Sequence, residues 1–246
     1  MSDSPKETER QIISGCDLGK ISDYTAFAVF ERTRPIVKNP GVVVVDEGGS
    51  KTTSLSAIKP LSVFGNQKRD WKYNLIRMDR WELGTDYYKI ASWLAKAYSK
   101  PVEQGGLGGT ILAVDKTGVG NAVLEIVVNE MKKEATSLHR ASIRPISITG
   151  GNTVNPDGAG WKVPKKELVS VLQALMGTGR LSIEKRIPSC ATLLKEFENF
   201  KYEIRKDKAG DDAADVWREA EHDDMVLACA LALWVGERGT KQFWIA

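Results

Sequence analysis

At 246 residues the chain is long enough for one large domain or two small ones, and for a substantial buried core. Apolar residues at 42% and charged ones at 27% exclude a disordered or fibrous chain, and a net charge of +3 leaves any nucleic-acid affinity to a local basic surface. Cys16, Cys190 and Cys229 are odd in number and widely spaced, which argues against a disulfide framework or zinc ribbon and for small buried thiols. The opening MSDSPKETERQ is unlike a signal peptide, and no apolar run approaches the ~20 residues of a membrane span. A soluble, intracellular protein without membrane contact is expected.

In chain order, residues 1–11 read as a disordered N-terminal segment. Residues 12–17 and 25–32 read as two strands of a hairpin. Residues 33–70 form a looser, basic insertion in which Val42–Val45 is the one clear strand. WKYNLIRMDRWEL (71–83) alternates as a strand, and GTDYYKIASWLAKAYSK has a Thr cap and the three-and-four apolar spacing of a helix. ILAVD is an apolar run ending in Asp115, and KTGVG leads from it into the helix NAVLEIVVNEMKKEA. ASIRPISIT (141–149) is a further strand, GGNTVNPDGAGWKV a loop, and Pro164 fits the first turn of a helix reaching Met176. RLSIE is strand-like, SCATLLKEFENF helical, KYEIRKD strand-like, and KAGDDAADVW an acidic loop. EHDDMVLACALALWVGE is a nearly all-apolar helix with an acidic first turn, and 237–246 is a tail. Strands alternating with helices imply an α/β domain over 12–236, a mixed sheet flanked by helices with parallel members.

Three acidic stations stand out. Asp17 ends the first strand, Asp115 ends a later one, and Asp223 and Asp224 open an apolar helix. Each has an ordinary explanation, as a turn residue or a partner of the helix dipole. Together they can converge where ligand sites of open α/β sheets gather, at the strand ends. Carboxylates packed together raise one another's pKa unless something compensates, and hard oxygen ligands suit Mg²⁺ or Mn²⁺. A pair of such ions ~4 Å apart can drive phosphodiester hydrolysis.

The segments GCDLGKISDYTAFAVFE, ILAVDKTGVGNAVLEIV and EHDDMVLACALALW, with WELGTDYYKIASWL and WKVPKKELVSVLQALMGTGRLSI between them, resemble in order and spacing the nuclease domain of bacteriophage large terminase subunits. The likeness covers most of 12–236 apart from the insertion. It implies a ribonuclease H-like fold and a two-metal endonuclease that cuts concatemeric double-stranded DNA during viral packaging, in the host cytoplasm at the procapsid. It further implies a terminase small subunit, a portal and an ATPase motor as partners. By position, Asp17 would bridge two metal ions (Mg²⁺ or Mn²⁺), Asp115 would be the second ligand, and Asp223 or Asp224 the third. Neighbours on a helix point ~100° apart, so only one of the two can serve, with a lean toward Asp224. Asp23 is a possible outer carboxylate, or a turn residue. His222 could orient the attacking water or contact the scissile phosphate, or could be solvent-facing; His139 is given no role.

Lys162, Lys165 and Lys166 surround a helix start beside a glycine loop and are candidate phosphate contacts, with Lys116 and Arg180 weaker ones. Arg32, Arg34, Lys38, Lys51, Lys59, Lys68 and Arg69 could track a duplex backbone, or simply be solvated. GGSKTT (48–53) is no phosphate-binding loop, because Ser50 precedes Lys51 and Val45 stands where that motif needs its first glycine. No motor motif is therefore visible, and the chain reads as the nuclease half alone. DKAGDDAAD (207–215) lacks the spacing and closing glutamate of a calcium loop. The rival readings are a junction resolvase or transposase-type nuclease, an ATP-binding enzyme of the sugar-kinase and actin type, and a non-catalytic DNA-binding module.

Overall fold

The apolar run that ends in Asp17 is the central strand of the molecule. The structure, a computed structural model, describes residues 8–19, 23–35, 44–45, 51–52, 71–134, 141–199 and 223–238. Its elements are β1 (Thr8–Asp17), β2 (Thr25–Pro35), β3 (Val44–Val45), β4 (Lys51–Thr52), β5 (Lys72–Trp81), α1 (Tyr87–Tyr98), β6 (Ile111–Asp115) and α2 (Gly120–Glu134). They continue with β7 (Ser142–Thr149), β8 (Asn155–Asp157), β9 (Gly160–Pro164), α3 (Lys165–Gly177), β10 (Leu181–Ile183), α4 (Cys190–Asn199) and α5 (Asp224–Arg238).

Eight strands form one mixed sheet in the order β10-β5-β2-β1-β6-β7-β9-β8. β1, β6, β7 and β9 run parallel, whereas β2 is antiparallel to both β1 and β5. The α/β reading with parallel members is thus the observed architecture. Because strand side chains alternate between faces, the sheet is buried on both. Ile13, Ala28, Phe30 and Ala113 pack with α3 and α5, while Ile12, Cys16, Phe27, Leu112 and Val114 pack with α1 and α2. Cys16 and Cys229 are buried as expected, but Cys190 is only half-buried.

The central helix lies close against its strand. A Cβ at Gly15 would fall 2.1 Å from the carbonyl oxygen of Ala228, so only glycine lets α5 descend onto β1. The same added Cβ would lie 2.8 Å from the Ala232 backbone nitrogen, so the α5 turn from Ala228 to Ala232 is the one seated on β1.

Several elements differ from the sequence reading. β1 begins at Thr8, because its polar first half finds cross-strand partners: Glu9 pairs with Arg34 at 2.6 Å and Arg10 with Glu31. The expected glycine loop folds into β8 and β9, turning at Gly158 with φ +60°. Asp86, not Thr85, caps α1, its carboxylate accepting from the Tyr88 N–H at 2.7 Å. β2 runs on to Pro35 and draws two arginines out of the supposed insertion. Arg32 is 2% exposed, bonded to Gln11 and the Gly236 carbonyl, and both guanidinium groups stack on Trp71 at 4.4 and 4.3 Å. Arg32 is thereby committed to the interior, while Arg34 is held by Trp71 and Glu9. Of the rest of the insertion only the β3–β4 ladder, which contains Lys51, is described. Lys38, Lys59, Lys68, Arg69, His139, His222, the strand-like 201–207 and the acidic loop 207–215 lie outside the described residues.

Candidate metal centre

β1 and β6 pair in parallel with Cys16 beside Val114, so the next residues, Asp17 and Asp115, end adjacent strands side by side. Cys16 and Val114 face α1 and α2, and alternation turns both aspartates toward the α5 face. α5 starts at the same edge, with Asp223 as its cap: the Asp223 carbonyl accepts the Leu227 N–H at 2.9 Å. Three stations far apart in sequence thereby meet at one end of the sheet.

Their electrostatics record the meeting. Asp17 and Asp115 are each only 9% exposed. Burial, then the charges of Asp115, Asp223 and Asp224, push the Asp17 carboxyl well above the usual range, and Lys165 works the other way. Burial also raises Asp115, against the hydroxyl and backbone N–H of Thr117, which both donate to Oδ1. The Thr117 hydroxyl additionally accepts from the Ile148 N–H, tying the loop after β6 to β7.

The neighbours Asp223 and Asp224 diverge, as consecutive helix-start residues must. Asp223 Oδ2 lies 2.8 Å from Lys165 Nζ at the start of α3. Asp224 is buried and ion-paired with Arg80 of β5: Nη2 donates to Oδ1 at 3.0 Å, while Nε lies 2.9 Å from Oδ2 without hydrogen-bond geometry. The same guanidinium lies 3.5 Å from Glu196 Oε1 of α4 and 3.7 Å over the Tyr24 ring. Glu196 Oε2 accepts the Met225 N–H at 3.2 Å, satisfying an orphan donor of the first turn of α5. Burial and then Asp224 push the Glu196 carboxyl up to about 7.

The other candidates disperse. Lys116 pairs with Asp157 at 2.7 Å, Lys162 is exposed on β9, and Lys166 bonds Asn152. Arg180 does not join the site: it is bound to Glu237 at 2.7 Å and to the Trp71 carbonyl at 2.8 Å. Glu237 is at the opposite end of α5 from Asp224, roughly 20 Å away at 1.5 Å per residue. Asp23 is exposed and lines a cavity of about 350 Å³ with Gly19, Thr25, Glu82 and Tyr87, on the α1 side.

Arg80, Glu196 and Thr117 are site residues that sequence reasoning misses. A β-bulge at Ile76 shifts the phase of β5, so that Met78 and Arg80 share the face of Leu75 and not of Ile76. A strict period-2 reading of 71–83 puts Arg80 on the wrong face.

Oxygen-only, buried and mutually repelling donors fit a hard divalent cation. Among the described residues no group of three or more His, Cys, Asp or Glu side chains is already arranged to hold one, so the carboxylates would have to close in.

Residues 109–234, just over half of the chain, match the family model of the terminase RNaseH-like domain. The chain belongs to this family. No curated protein sequence matches it. Among solved structures, this terminase domain is similar to the large terminase nuclease of thermophilic phage G20c, at 19% identity and TM-score 0.46, covering 91% of this chain and 81% of that one. It is similar also to the human cytomegalovirus terminase nuclease domain soaked with Mn, at 10% identity and TM-score 0.49 (92% and 82% covered). A third is the large terminase nuclease domain of bacteriophage SPP1 with bound Mn, at 12% and 0.43 (92% and 86%). The family match spans β6 with Asp115 and α5 with Asp223 and Asp224, while Asp17 precedes it. No helix among the described residues of the terminase domain is long and apolar enough to cross a membrane.

Proposed function

We propose that this terminase domain is a metal-dependent DNA endonuclease that cuts concatemeric double-stranded DNA during viral genome packaging. The observation that carries this is the convergence of Asp17, Asp115 and Asp223 at one sheet edge, with Asp17 and Asp115 buried and the charges of Asp115 and Asp223 raising the proton affinity of Asp17. Such an arrangement costs stability, and a site built to receive divalent cations accounts for it.

Asp17, on the central strand, would contribute to both of two Mg²⁺ or Mn²⁺ ions, and Asp115 and Asp223 would complete the set. Asp223 is preferred over Asp224, against the lean of the sequence. The charge of Asp223 weighs more on Asp17 than that of Asp224 does, and Asp224 is ion-paired with Arg80, which hydrogen-bonds its Oδ1. Bound there, the ions would supply an activated water and charge stabilisation at the leaving oxygen. The chain's own residues do the rest. Thr117 fixes Oδ1 of Asp115 and so orients the carboxylate. Glu196 and Arg80 fix the start of α5, and so the direction of Asp223. Lys162 and Lys166, flanking the site on β9 and α3, suit the phosphates of a duplex. Asp23 remains a candidate outer carboxylate and His222 a candidate for orienting water. In the packaging machine, in the host cytoplasm at the procapsid, the domain would work beside an ATPase motor, a small subunit and the portal.

Supercoiled plasmid incubated with Mn²⁺, Mg²⁺, Ca²⁺ or EDTA tests the reading, beside Asp17→Ala and Asp115→Ala. Cleavage with Mn²⁺ or Mg²⁺ that EDTA and both substitutions abolish is the expected result. Folded protein that fails to cleave with every one of these metals sinks the assignment and leaves a DNA-binding module.

A further inference from the structure

The carboxylate cluster already holds a cation of its own. Lys165 is the first residue of α3, placed by β9, whose end lies beside the end of β7 at the same sheet edge as Asp17 and Asp115. Its side chain is only 11% exposed, and its ammonium is 2.8 Å from Asp223. Its charge also reaches Asp17 and Asp115, opposing their repulsion. A lysine stem is flexible and its ammonium is a single point charge, unlike the planar fork with which Arg80 grips Asp224. Lysine can therefore hold a carboxylate and still release it.

We infer that Lys165 is the resident counterion of the metal centre: it holds Asp223 in the metal-free protein and must yield that carboxylate when a divalent cation binds. This rests on the reading of Asp17, Asp115 and Asp223 as metal ligands. It assigns Lys165 a role distinct from contacting DNA, because it predicts a change in metal affinity with no DNA present. An ammonium beside a ligand oxygen competes with the incoming cation and repels it through a partly dry medium. Removing it should tighten metal binding while loosening the metal-free fold, two effects of opposite sign.

The test is Mn²⁺ titration by calorimetry without DNA, with thermal unfolding in EDTA, on the wild type, Lys165→Met and Lys165→Arg. Methionine keeps much of the apolar stem and removes the charge. Lys165→Met should bind Mn²⁺ ~10-fold more tightly, a change equal to about 1.4 kcal/mol. In EDTA its Tm should fall by about 2–4 °C, a loss that added Mn²⁺ reverses. Lys165→Arg, which keeps the charge, should bind Mn²⁺ no more tightly than the wild type. Unchanged Mn²⁺ affinity in Lys165→Met, as for a lysine that only touches DNA, overturns the inference while the metal centre stands. So does weaker affinity, as for a lysine that only shapes the fold. A wild type that takes up no Mn²⁺ overturns both.

Discussion

Asp223 and Asp224 are neighbours with the same side chain, and each lies against a cation from a distant element, yet the two pairs differ in kind. Arg80 is ion-paired with Asp224, is itself stacked on Tyr24, and shares its charge with Glu196. Lys165 meets one oxygen of Asp223 with one ammonium. The two pairs are comparably buried, with side chains 19% and 7% exposed in the first and 11% and 19% in the second, so the difference lies in the shape of the cation. A planar guanidinium stacked on a ring fixes geometry, whereas the ammonium on a flexible lysine stem can be exchanged. Chemistry at this end of the sheet thus depends on a division of labour between consecutive residues.

The comparison breaks most visibly at Arg80. Arg80→Ala leaves Asp224 and Glu196 buried without their cation and should cost about 3–5 kcal/mol of unfolding free energy, read by urea denaturation. Next come the two aspartates themselves. Asp223→Ala should abolish Mn²⁺-dependent plasmid cleavage with unfolding free energy changed by less than ~1 kcal/mol, because loss of the Lys165 pair is offset by relief of the charge Asp223 places on Asp17. Asp224→Ala should lose stability by about 3 kcal/mol, since it strands Arg80. Equal stability losses in the two variants would erase the distinction between structural and chemical carboxylate.

Glu196 offers a finer measurement. Its carboxyl is raised from an ordinary 4.5 to about 7, so it takes up a proton on folding. Its contribution is most favourable below pH 4.5, falls as pH rises toward about 7, and is level above. Glu196→Gln keeps an acceptor for the Met225 N–H and cannot titrate. Between pH 5 and 8 the wild type should therefore lose on the order of 2 kcal/mol more stability than the variant. The smallest effect is expected at Lys166, on the rim: Lys166→Ala should reduce the salt slope of DNA affinity by about one, with little change in Tm.

Much of this arrangement is legible in the sequence, and the limits have physical causes. ISGCD and ILAVD each end in a carboxylate after an apolar run, and the alternation that buries Cys16 and Val114 on one face sends Asp17 and Asp115 to the other. The acidic start of an all-apolar helix is equally plain. Choosing between Asp223 and Asp224 is another matter. The choice turns on Arg80, and the phase of Arg80 is set by a bulge that the residues of 71–83 do not announce. Glu196 was hidden differently: on an amphipathic helix a glutamate looks solvated until a neighbouring helix start needs an acceptor. The loop expected at 150–163 becomes the β8–β9 hairpin because β7 offers a free edge that only the assembled sheet reveals. Arg180 failed as a phosphate contact for a similar reason, since its partner Glu237 follows it by 57 residues.

Gly15 carries a consequence for how tolerant this site is to change. Because α5 is seated by its contact with β1, the helix takes its register from the sheet beneath it. Insertions and deletions between α4 and α5 can therefore accumulate with Asp223 kept in place. A single added methyl group at position 15 would act as a wedge, displacing the whole helix and misaligning carboxylates that it never touches.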